Sequence, residues 1–180
     1  MPTKILDLPL HPLVIHLPVV LVPTLALLAI GYVTVARFRT RIGWLLVTLT
    51  VLAPLTVFAA RWSGQQLAIE QLDLVAGNPD ALADTSASIA NHSQYGDVLV
   101  WLVTAMAPFA WLFAGLVSGR LASAARRFSR PGLADWAEGS GTGVRAVTGL
   151  SGVILIVLAA LSVLYVVQAG HTGASLLWLG

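Results

Sequence analysis

Cysteine is absent from the 180 residues, which removes disulfides, thiolate nucleophiles, iron–sulfur ligation and covalent haem attachment through Cys-x-x-Cys-His. Charge is scarce as well: Lys and Arg total 10 and Asp and Glu 8, against 57% hydrophobic residues. A chain of this composition belongs in a membrane. The net charge of +2 is no nucleic-acid signal, because the basic residues gather in two short loops instead of along one soluble face. No Gly-rich phosphate loop, His-Glu-x-x-His helix or serine-elbow motif occurs, so no catalytic residue is nominated. No small-residue cleavage pattern follows the first apolar run, which is therefore read as a retained helix and not as a signal peptide.

What is abundant is apolar sequence. Leu13 to Val35, Ile42 to Ala60, Val98 to Val117 and Val144 to Val167 are each long enough to cross about 30 Å of hydrocarbon. The expectation is an all-α integral membrane protein, a single domain over residues 1–180 built as a four-helix bundle of two antiparallel hairpins. Arg37, Arg39 and Arg41 fill the first tight turn, and Arg120, Arg126, Arg127, Arg130 and Arg145 lie in or beside the second; Lys4 and Arg61 complete the ten basic residues. The positive-inside rule places both turns in the cytoplasm and both termini outside. The outer side then holds Asp7, Glu70, Asp73, Asp80, Asp84 and Asp97.

The outer segment between the second and third spans has its own pattern. Ser63 and Gly64 punctuate the end of the second span, and Gln65 to Val75 reads as a short amphipathic outer helix lying on the membrane surface. Gly77-Asn78-Pro79 breaks it; Asn78 is placed to cap a new helix with Pro79 at its first position. That helix projects outward and carries His92 a turn or two above the hydrocarbon. The stretch Ser118 to Gly143 reads as a mobile, solvated loop near anionic headgroups, with a short helix around Leu133 to Glu138.

All four histidines, His11, His16, His92 and His171, fall at span ends on the outer face. Any one of them is most simply an interfacial or capping residue. As a set they point to ligation, because neutral imidazole binds haem iron, copper and zinc and bundles hold cofactors with ligands from facing helices. His16 lies about one turn inside its span, where an ionisable group turns toward the interior. Gly170 and Gly173 around His171 let the backbone turn and admit a bulky group. Arg61 has two readings, pairing with Asp97 or with a haem propionate, or a snorkelling arginine at the interface; the second is the simpler.

The run Leu8-Pro-Leu-His11-Pro-Leu-Val-Ile-His16-Leu-Pro18, His92 before the third span, and the ending Gly170-His171-Thr-Gly-Ala-Ser-Leu-Leu-Trp178 resemble the bacterial membrane family catalogued as domain of unknown function 2231. The likeness extends from Leu8 to Trp178. It implies a small four-helix protein of the bacterial cytoplasmic membrane, with motif histidines His11, His16, His92 and His171. Fusion of some members to Rieske-type or cytochrome c-type domains implies electron transfer as a theme.

The leading expectation is a b-type cytochrome with one haem b near the outer surface. His16 and His92 are the first choice of axial pair, with His11 and His171 as a second pair or as support. Quinol or an extracytoplasmic protein is the expected redox partner, since no histidine lies in the inner half. Two other readings stand beside it: a copper or zinc site using three or four of the same imidazoles, and a non-catalytic accessory subunit of a larger complex. Lipid is the surrounding partner, and a homo-oligomer is compatible with all three.

Overall fold

The computed structural model describes residues 4–5, 8–139 and 141–178; Asp7 and both chain ends lie outside them. A two-residue antiparallel pairing of β1 (Lys4–Ile5) with β2 (Leu8–Pro9) leads into α1 (Leu10–Val14) and α2 (His16–Thr34). A 3-10 turn, Ala36–Phe38, joins α2 to α3 (Arg39–Val75), and α4 (Pro79–Val117) follows. Two short helices, α5 (Arg120–Arg127) and α6 (Pro131–Glu138), precede α7 (Thr142–Trp178). The chain is all-helical in class, and four helical stretches are long and apolar enough to cross a membrane: Leu10–Thr34, Ala36–Val75, Pro79–Val117 and Thr142–Ser175.

Each long helix packs against two others, in the cyclic order α2, α3, α4, α7. Neighbours run antiparallel: the position of a Cβ on Gly43, early in α3, meets Tyr32 near the end of α2; Trp111 of α4 donates to Thr50 of α3 at 2.9 Å; and Gly152 of α7 lies against Val33 and Phe113. Leu25, Leu46, Val103, Met106 and Leu155 fill the shared core without contact to solvent. Ala29, Ala53, Ala110 and Ala159 are equally buried, and such small residues let helix backbones approach closely. Polar groups inside are satisfied locally, as where Ser162 donates to the Leu158 carbonyl at 2.7 Å. The outward faces are apolar too, Leu27 being 71% and Trp101 76% exposed. A helix apolar all round suits a lipid surrounding.

Local chemistry explains the helix ends. The Asn78 side chain accepts from the Asp80 and Ala81 amides at 3.2 and 3.3 Å, with Pro79 opening α4, as a capping residue should. Arg39 reaches back to the carbonyls of Tyr32 and Val33 at 3.0 and 2.8 Å, closing the last turn of α2, while its guanidinium stands 5.2 Å from the centre of the Phe113 ring. Gly119 takes φ +69 between α4 and α5, a conformation costly to other L-residues.

Three expectations are corrected. The separate amphipathic helix at Gln65 to Val75 does not exist as such: α3 runs without interruption for 37 residues and contains it. Ser63 and Gly64 fail to break α3 because the Ser63 hydroxyl donates to the Ala60 carbonyl at 3.0 Å inside the helix and Gly64 is covered by a side chain. Gly170 and Gly173 likewise lie within α7, which does not turn there. The stretch after Ser118 is largely helical, not a loop. Arg126 of α5 pairs with Glu138 of α6, a partner that raises the guanidinium pKa above its ordinary value, and Ala122 and Ala137 pack with Leu116 beneath.

The antiparallel arrangement separates two chemistries. Arg37, Arg39, Arg41 and the basic residues from Arg120 to Arg145 stand at the end where α3 and α7 begin. His11, Arg61, His92 and Thr172 stand at the opposite end.

Candidate functional site

The site is built where α1 lies on the later part of α3 and α4 lies on the end of α7. His11, in α1, places Nδ1 3.0 Å from the Ala60 carbonyl oxygen and 3.1 Å from the Ser63 hydroxyl. A carbonyl only accepts, so Nδ1 carries the proton and donates. Nε2 is then the nitrogen with a free lone pair. The ring is seated on bare backbone: a Cβ on Gly64 would stand 3.0 Å from His11 Cε1.

His92, in α4, repeats this arrangement on α7. Its Nδ1 lies 3.1 Å from Thr172 Oγ1. The Thr172 hydroxyl proton is already committed to the Gln168 and Ala169 carbonyls at 2.9 and 3.3 Å, so its oxygen accepts from Nδ1–H. Again Nε2 keeps the lone pair. Again a glycine makes room, a Cβ on Gly173 standing 3.0 Å from His92 Cε1.

The two half-buried rings meet edge to face, with centroids 6.1 Å apart and planes at 78°. Two imidazoles bonded on opposite sides of one metal atom, at about 2.0–2.1 Å each, place their ring centres roughly 6 Å apart. The centre-to-centre spacing of the pair, with one histidine from each hairpin, is of that size. Metal-bound histidines almost always donate the other ring N–H to a carbonyl or similar acceptor, which both rings already do.

The expected axial pair of His16 with His92 is not the pair brought together. His16 opens α2 and is exposed, with no hydrogen-bond partner among the described residues. Helical phase explains this, because five residues rotate a side chain by about 140° and His11 and His16 face different ways. His171 is also exposed, pointing away while its neighbour Thr172 faces inward. Among the described residues no group of three or more His, Asp or Glu stands close enough to hold a metal ion.

Arg61, one residue after the carbonyl that holds His11, is ion-paired with Asp97 of α4. The pair links the hairpins beside the imidazoles, with side chains 37% and 47% exposed, and the guanidinium is engaged by a carboxylate. About one turn further along α4, Tyr95 stands 6.0 Å from Tyr165 of α7. A groove lined by Thr50, Pro54, Phe58, Val100 and Trp111 lies further along α3 and α4 and holds no ionisable group.

Reasoning from sequence does not find Ser63, Gly64 and Thr172 as a seat for the rings, while the close approach expected at Gly173 is made by the His92 ring. Comparison with protein families, with curated proteins and with solved structures gives no match.

Proposed function

We propose that the chain is a four-helix bundle of the bacterial cytoplasmic membrane that binds one haem b near its outer face and exchanges electrons there. The observation that carries this reading is the meeting of His11 and His92, one from each hairpin, at 6.1 Å between ring centres. Both rings retain an unprotonated Nε2, the form an axial ligand needs. This assignment replaces His16 by His11 in the axial pair and leaves His16 and His171 outside it.

Bound haem supplies one-electron transfer. The chain's residues bind and orient: Ala60, Ser63 and Thr172 hold the imidazole tautomers, the two glycines admit the rings, and the Arg61–Asp97 pair bridges α3 and α4 beside them. All four histidines lie toward one end of the helices, and the basic residues at the other end orient that histidine end outward by the positive-inside rule. A single redox site at one level does not carry charge across the bilayer, so the partner is met on the outer side, as quinol or as an extracytoplasmic protein.

The test is the optical spectrum and metal content of the protein purified from membranes. The expected result is a Soret band that shifts on dithionite reduction, with one haem per chain. A colourless protein containing stoichiometric copper or zinc would overturn the haem assignment, and one with neither would overturn the redox reading.

A further inference from the structure

The seats of the two imidazoles are the same five-residue pattern written twice. His11 rests on Ala60-Arg61-Trp62-Ser63-Gly64, and His92 rests on Ala169-Gly170-His171-Thr172-Gly173. In each, a hydroxyl residue three positions after the alanine takes the ring Nδ1, and the glycine after it makes room for the ring at Cε1. The hydroxyl also closes onto its own helix in both copies, Ser63 to the Ala60 carbonyl at 3.0 Å and Thr172 to the Ala169 carbonyl at 3.3 Å.

We infer that Ala-x-x-Ser/Thr-Gly is a duplicated imidazole seat, in which Ser63 and Thr172 are positioning residues that lock His11 and His92 as Nδ1–H tautomers and so present two equivalent Nε2 donors to a metal atom between the hairpins. The metal part of this inference rests on the proposed function; the tautomer part stands without it. The two copies agree in a further respect. Each ring has the carbonyl of its own alanine beside it as well as the hydroxyl, Ala60 for His11 at 3.0 Å and Ala169 for His92. Loss of either hydroxyl therefore loosens its ring to a similar degree and leaves the carbonyl in place.

The first experiment reads the rings in the protein freed of cofactor. With ¹⁵N-labelled histidine at a pH where imidazole is neutral, His11 and His92 should each show a protonated Nδ1 and an unprotonated Nε2. The Thr172→Ala and Ser63→Ala variants should each admit some of the other tautomer, at His92 and at His11 respectively, and Thr172→Ser should restore His92. An Nε2–H form at either ring in the wild type, or Thr172→Ser behaving as Thr172→Ala, would overturn the inference.

The second experiment titrates each variant with hemin. Outer-shell partners of metal-bound histidine typically carry about 10–100-fold in affinity, so Thr172→Ala and Ser63→Ala should each weaken hemin binding by about tenfold, the low end of that range, because an alanine carbonyl stays beside each ring. Equal affinities for Thr172→Ala and the wild type would overturn the positioning role. If the wild type itself takes up no hemin while its tautomers are as stated, the haem reading fails and the duplicated seat stands.

Discussion

Adding one methyl group at Gly64 or Gly173 separates the site from the fold that carries it. A Cβ at Gly173 stands 3.0 Å from His92 Cε1 and 3.4 Å from its Nδ1; at Gly64 the distances to His11 are 3.0 and 3.2 Å. Carbon atoms rest comfortably at about 3.5–4.0 Å, so each ring must retreat by roughly half an ångström. The Nδ1 contacts, now 3.0–3.1 Å, then stretch toward about 3.5 Å, where a hydrogen bond is lost. One such bond contributes about 0.5–1.5 kcal/mol, or roughly two- to tenfold in ligand affinity. The helix responds with the opposite sign, since Gly→Ala inside a helix is favourable by about 0.5–1 kcal/mol. Gly170 is the internal control: it lies in the same helix, and a Cβ there meets nothing within 4 Å. Thermal unfolding and hemin titration in detergent should show Gly170→Ala with unchanged affinity and equal or higher stability. Gly173→Ala and Gly64→Ala should bind hemin two- to tenfold more weakly without comparable loss of fold. Equal hemin affinities for Gly173→Ala and Gly170→Ala would refute the seating of His92 on bare backbone.

Other outcomes follow from the same contacts. Arg39→Ala leaves the Tyr32 and Val33 carbonyls without their cap and should lower stability by about 1–3 kcal/mol, with Arg39→Lys recovering only part because it lacks the planar fork; chemical denaturation in detergent measures this. Gly119→Ala should cost about 1–2 kcal/mol from its left-handed backbone alone, for no neighbour obstructs the methyl group. Arg61→Gln and Asp97→Asn remove a partly exposed ion pair and should each change stability by less than about 1 kcal/mol while keeping the pigment; loss of the Soret band in Arg61→Gln alone would place the guanidinium on the cofactor instead. Because imidazole must be neutral to ligate, retention of the cofactor should fall on acidification.

The membrane spans and the two basic turns were legible in the sequence because a continuous apolar run and a cluster of arginines each act through composition, without regard to partners. The imidazole pair was not, and the reason is angular. Depth along a helix can be counted from sequence, which puts His11, His16, His92 and His171 at one end, but direction around the helix decides which of them meet. His16 follows His11 by five residues and so faces elsewhere, although it lies nearer the apolar run. Ser63-Gly64 and Gly170-Gly173 carry the other signal, but they read first as turns, since glycine weakens an isolated helix, and only the room expected beside His171 points to a bulky neighbour. Here the surrounding packing sustains α3 and α7, and the missing Cβ serves to admit a ring. The repeat of Ala-x-x-Ser/Thr-Gly near the ends of the second and fourth spans was the available clue, because a duplicated pattern of small residues on two hairpins is hard to explain by helix breaking.

The reduced-minus-oxidised spectrum of the four single histidine-to-alanine variants, purified side by side, tests the pairing most directly. His11→Ala and His92→Ala should lose the haem signal, while His16→Ala and His171→Ala keep it at wild-type intensity. Retention of the signal in His11→Ala, together with its loss in His16→Ala, would contradict the paired imidazole centre.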